Sequence, residues 1–64
     1  MEFQRANFLN RIAQALRGEL LQWRDSLLYS DLETYTGCIL AAMWNSGIIN
    51  EEEEKFLRKR IFDE

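Results

Sequence analysis

The sequence predicts an all-α protein: a helical hairpin with a short third helix, assembled as a homodimeric helical bundle. Three observations point there. Leu, Ala, Glu, Arg and Gln, all helix formers, dominate, and there is no proline and only three glycines. Apolar residues recur at spacings of three and four along the first third of the chain. And 64 residues with one cysteine and no histidine can form neither an intrachain disulfide nor a structural zinc site, so association is the remaining way to stabilise so small a core. Hydrophobic residues make up 47% and charged residues 30%, too apolar for a disordered chain.

The first helix is expected over about residues 3–29. On a helical wheel Leu9, Ile12, Leu16, Leu20, Trp23 and Leu27 fall within an arc of roughly 80°. Gly18 lies on the opposite, polar side with Gln14 and Asp25. Phe3, Leu21 and Leu28 gather near a second line roughly 120° away. That flank is covered either by another helix of the chain or by another subunit.

The second helix is expected over residues 31–46. Ser30 followed by Glu33 has the form of a capping box, and Gly47 is placed to end the helix in a left-handed turn. From Thr34 to Asn50 no residue is charged. Leu32, Tyr35, Ile39, Leu40, Met43 and Trp44, with Cys38, Ala41 and Ala42, spread apolar surface around most of the circumference. A helix that is apolar all round is a buried helix. It is too polar and too glycine-interrupted for a membrane span. One long and one short helix cannot cover it on all sides, whereas a second copy of the chain can.

The third helix is expected over residues 50–62. Asn50 is a good N-cap with Glu53 three residues on. Glu51, Glu52, Glu53 and Glu54 suit the positive end of the helix dipole and read as a solvated helix start; Lys55, Arg58, Lys59 and Arg60 suit the negative end. Glu51–Lys55 and Glu54–Arg58 are favourable pairs one turn apart. Phe56, Leu57 and Ile61 give one modest apolar side.

Little here points to catalysis. Histidine, the usual acid–base group near neutral pH, does not occur. Cys38 has no histidine to activate it and reads as a small core residue. Consecutive carboxylates on a helix point in different directions, so the four glutamates do not form a calcium loop. No catalytic, cofactor-binding or metal site is expected. The net charge of −3 argues against a nucleic-acid protein. Arg5, Arg11, Arg17 and Arg24 form no stripe, since only Arg17 and Arg24 share a face. Arg58, Lys59 and Arg60 are the residues that would contact nucleic acid if any do. The expected interface for dimer or partner comprises Leu21, Leu28, Leu32, Tyr35, Ile39, Leu40, Met43 and Trp44, because Trp and Tyr dominate interfaces. Trp44 lies off the main line of its helix and is the favoured intersubunit or partner contact. Glu2, Arg5 and Arg11 interrupt the basic-then-apolar layout of a secretory signal, and a free cysteine fits a reducing cytoplasm.

Two resemblances accompany this reading. The stretch from Gly47 through Ile48, Ile49, Asn50 and Glu51–Glu54 to Lys55 and Phe56 resembles short C-terminal oligomerisation domains: a leucine-rich helix, glycine, isoleucine, a polar cap, paired glutamates, then an aromatic and basic residues. Here Glu54 and Lys55 precede the aromatic, which shifts the phase. Over its whole length, from Met1-Glu2-Phe3-Gln4-Arg5-Ala6-Asn7 onward, the chain resembles the small early proteins of lambdoid bacteriophages encoded between the exonuclease and excisionase genes. It does so in length and acidic helical character, with no diagnostic motif. That resemblance implies an all-helical homodimer in the host cytoplasm. It also implies a modulatory role in phage development (lysis against lysogeny) or in host physiology, through contacts with a host or phage protein. The competing expectation is a DNA-binding regulator that uses a helical hairpin and the basic end of the third helix.

Overall fold

The computed structural model describes residues 3–63. It contains three helices, α1 (Phe3–Gln22), α2 (Tyr29–Asn45) and α3 (Glu51–Phe62), and no strand among the described residues. α1 buries Leu9, Ala13 and Leu20. With Leu40, Ile49, Leu57 and Ile61 these form one core that draws on all three helices.

The first helix is shorter than its apolar periodicity predicts. The six-residue stripe that includes Trp23 and Leu27 continues past the last helical residue, Gln22. From there the chain turns on bonds of shorter span: Trp23 N–H donates to Leu20 O, Arg24 N–H to Leu21 O, Ser26 N–H to Trp23 O and Tyr29 N–H to Ser26 O. Trp23 is consequently half-exposed and Leu27 fully so. The expected capping box at Ser30 and Glu33 does not form either. Leu28 is the N-cap of α2, with no side-chain cap. The Ser26 hydroxyl instead accepts the Leu28 amide at 3.0 Å, and the Ser30 carbonyl accepts the Thr34 hydroxyl inside the helix. Local side-chain bonding by Ser26 thus begins the new helix two residues early.

The other boundaries fall as expected. At the end of α2, Gly47 takes φ +84°. The Gly47 amide donates to Trp44 O and the Ile48 amide to Met43 O, the paired bonds of a Schellman turn that only glycine enters without strain. α3 opens on a complete capping box: Asn50 Oδ1 accepts the Glu53 amide at 2.8 Å and Glu53 Oε1 accepts the Asn50 amide at 2.9 Å.

The packing order differs from the expected hairpin with a short third helix. α3 packs most extensively on α1, α2 packs next on α3, and the α1–α2 seam is the thinnest. α3 is therefore the shared central element. It runs in the same sense as α1, because Arg5 meets Glu53 and Asn10 meets Arg60. The reason is energetic. α3 carries Leu57 fully buried and Ile61 nearly so, each contributing about 1.5–3 kcal/mol, together with two charged links to α1. α2 buries only Thr36 and Leu40 within the chain.

Candidate interaction surface

At the start of α3 the run of four glutamates divides. Glu51 and Glu52 are exposed, but Glu53 and Glu54 are buried, which corrects the expectation of a wholly solvated helix start. Each buried carboxylate has an arginine. Arg5 grips Glu53 with two bonds, Nε to Oε2 at 2.7 Å and Nη2 to Oε1 at 2.8 Å, and its Nη2 also donates to the Ile48 carbonyl. The guanidinium stands 5.1 Å from the Phe8 ring centroid, within cation–π range. The hydrogen bonds from Arg5 and then the Asn50 amide outweigh the cost of burial and lower the Glu53 pKa from 4.5 to about 2. A planar, bidentate arginine is well suited to this task. Nothing local in the sequence marks Arg5 for it, since its partner lies 48 positions away.

Of the three residues expected to contact nucleic acid, two are engaged within the fold. Arg58 pairs with Glu54 at 2.6 Å and lies against Gly37 of α2, 3.4 Å from where a Cβ would stand. Arg60 Nη1 donates to Asn10 Oδ1 at 3.2 Å, with its guanidinium 5.7 Å from the Phe56 ring centroid. Lys59 is exposed. Arg60 thus ties α3 to α1 and Arg58 lies against α2, while Lys59 and the half-exposed Arg58 remain at the surface.

The eight residues expected at an interface do not form one patch. Leu40 is fully buried in the chain's own core, and Met43 and Leu32 are partly buried against it. Tyr35 is 58% exposed and Trp44 42%, but nine residues at 100° per residue put them on opposite sides of α2. Leu28 and Ile39 lie on the Tyr35 side. Leu21, at the end of α1, is exposed beside the connector that carries Trp23 and Leu27. Cys38 is exposed and not the small core residue expected. At 160° from Leu40 it faces away from the core.

Within the described residues no cluster of acidic and cysteine side chains has the arrangement of a metal site, and no helix is long and apolar enough to cross a membrane. A shallow open trough of about 400 Å³ runs along the outside of α1 beside Phe8, Arg11 and Ile12. It brings no pair of reactive groups together. What the fold displays is apolar surface, on two sides of α2, which carries no charge from Thr34 onward.

No family model, no curated protein and no solved structure matches this chain.

Proposed function

We propose that this chain is a regulatory interaction protein that works as a homodimer and acts through protein–protein contacts. Its setting is the development of a lambdoid bacteriophage, or the physiology of its host, as the resemblance of the whole chain implies. The observation that carries the reading is the exposure of Tyr35 and Leu28 on one side of α2 and Trp44 on the other. A helix with no charge from Thr34 onward gains nothing from facing water on both sides. Two opposed apolar faces suit a protein that binds a copy of itself with one and another protein with the other. The net charge of −3 and the engagement of Arg60 with Asn10 favour this reading over DNA binding, which relies on basic side chains free to meet phosphates.

Light scattering across a concentration series tests the assembly. The expected mass is twice the 7.7 kDa of one chain, and a constant single-chain mass up to millimolar concentration would overturn it. The regulatory arm is read in bacteria carrying a lambdoid prophage. Expression of the chain should change the frequency of prophage induction, and expression of a Trp44→Glu variant should not. Retention of duplex DNA at low salt, lost steeply as salt rises, would replace this reading with the DNA-binding one.

A further inference from the structure

On α2, Leu28, Leu32, Tyr35, Ile39 and Ala42 follow one another at spacings of four, three, four and three. This alternation makes a straight seam along a helix and is the pattern of helix-to-helix packing. At 100° per residue the seam is centred opposite Gly37. Gly37 takes the Arg58 guanidinium of α3, and buried Thr36 and Leu40 lie 80° and 120° from the seam's centre, so the seam flanks the core face of α2, with Leu32 on the border between them. The remaining helix that could cover it is α1, and the α1–α2 contact is the thinnest in the molecule. Leu28 and Tyr35 are accordingly more than half exposed, Ala42 is exposed, and Leu32 and Ile39 are half-covered.

We infer that this seam is the face on which a second copy of the chain docks, antiparallel, with Tyr35 at the two-fold axis. The inference rests on the homodimer proposed above and assigns its surface and register. Three observations select a second copy as occupant. A two-fold interface must be compatible with itself, and the seam carries no charge that could meet its own like. The antiparallel register centred on Tyr35 sets Leu28 against Ala42 and Leu32 within one residue of the level of Ile39, so a large side chain meets a small one at each end. It also opposes the two helix dipoles, and it lays the exposed Leu27 of each connector toward the uncharged end of the other α2.

The third observation is area. The chain exposes 4820 Å², whereas a folded monomer of 7.7 kDa exposes about 4,300 Å². Its radius of gyration, 11.9 Å, likewise exceeds the roughly 10.7 Å of a compact 64-residue domain. The excess of about 500 Å² lies at the low, weakly associating end of what each partner buries at a specific interface. The Trp44 side is a poorer candidate for self-association, because it continues into Ile48, whose carbonyl holds Arg5, and on to the exposed carboxylates of Glu51 and Glu52.

The test compares Tyr35→Glu with Trp44→Glu by light scattering and far-ultraviolet circular dichroism. Tyr35→Glu sets two carboxylates at the axis and should weaken the dimer about a hundredfold or more, with helicity kept. Trp44→Glu should leave the dimer intact. If the parent chain and Trp44→Glu are dimers and Tyr35→Glu is one as well, the face is wrong while the dimer stands. If the parent chain is a monomer, the dimer itself is wrong. Should Tyr35→Glu lose its helicity, a Cys38→Ala chain carrying Tyr35→Cys decides. Mild oxidation should give a disulfide-linked dimer from this chain and not from a Cys38→Ala chain carrying Trp44→Cys. The reverse pattern, or no cross-link at position 35, overturns the assignment.

Discussion

Along the α1–α3 seam, directional groups set the register. Arg5 holds Glu53 with two bonds and Arg60 reaches Asn10, while Leu9, Leu57 and Ile61 fill the space between the two helices. Along α2 the attachment is of another kind. Leu40 enters the core, Gly37 lets Arg58 lie close, and most of the remaining surface is apolar and unpaired. Polar directional bonds specify one geometry, because leaving them half-made costs more than making them returns. Apolar surface specifies only that it be covered. The first seam is therefore complete within one chain, whereas the second helix leaves Leu28, Tyr35 and Trp44 exposed.

The largest expected effect comes from the helix both seams share. Leu57→Ala should cost about 3 kcal/mol, a large part of the stability of so small a domain. It should lower the melting temperature by about 12 °C or more, at roughly 4–8 °C per kcal/mol. Thermal melts followed by circular dichroism would show it. A loss under about 1 kcal/mol would mean that α3 is not the central element.

Smaller, and dependent on pH, is the effect of Arg5→Ala. At pH 7 it leaves the buried Glu53 carboxylate with the Asn50 amide and without its cation. The expected cost is about 2 kcal/mol, below the usual figure for a broken buried pair because Arg5 is about a third exposed. The Glu53 pKa is lowered on folding from 4.5 to about 2, so its contribution is present above pH 4.5 and is lost as pH falls toward 2. The lowering is shared by Arg5, the larger cause, and the Asn50 amide. Urea denaturation of parent and variant should converge between pH 4.5 and 2. A difference independent of pH would assign the loss to packing of Arg5 on Phe8.

The smallest effect sharpens the comparison from the stable side. Gly18 is exposed on α1, with nothing within 4 Å of where a Cβ would stand. Gly18→Ala should raise stability by about 0.5–1 kcal/mol without altering the oligomer. A change in mass on light scattering would place that face of α1 in an interface.

The sequence carried some of this clearly. Asn50 and Glu53 announce the α3 cap, and Gly47 announces the end of α2, because both signals act within four residues. Gly47 also lies far enough from other elements that nothing overrides it. The end of α1 was not legible. Its apolar periodicity runs on through Trp23 and Leu27, and no glycine or proline interrupts it. Helical spacing alone does not separate a residue on the core side of a helix from one at the same phase in the turn that follows. The Ser30–Glu33 pattern misled for a related reason: Ser26 competes for the same role two residues before the new helix. Among the candidate interface residues, Leu40 and Trp44 are both apolar on the same helix, and only the position of α3 makes one core and leaves the other exposed.

Composition and periodicity by themselves determined three helices, two of their boundaries, the uncharged stretch from Thr34 to Asn50 and the lack of a histidine for acid–base chemistry. These follow from short-range rules: propensity, capping and spacing act between residues a turn or two apart. The central place of α3, the burial of Glu53 and Glu54, the work of Arg5 and the direction in which α2 turns its free seam were decided by tertiary structure. Each depends on groups brought together across about 20 to 50 positions, and at that separation partners are chosen by how the helices pack.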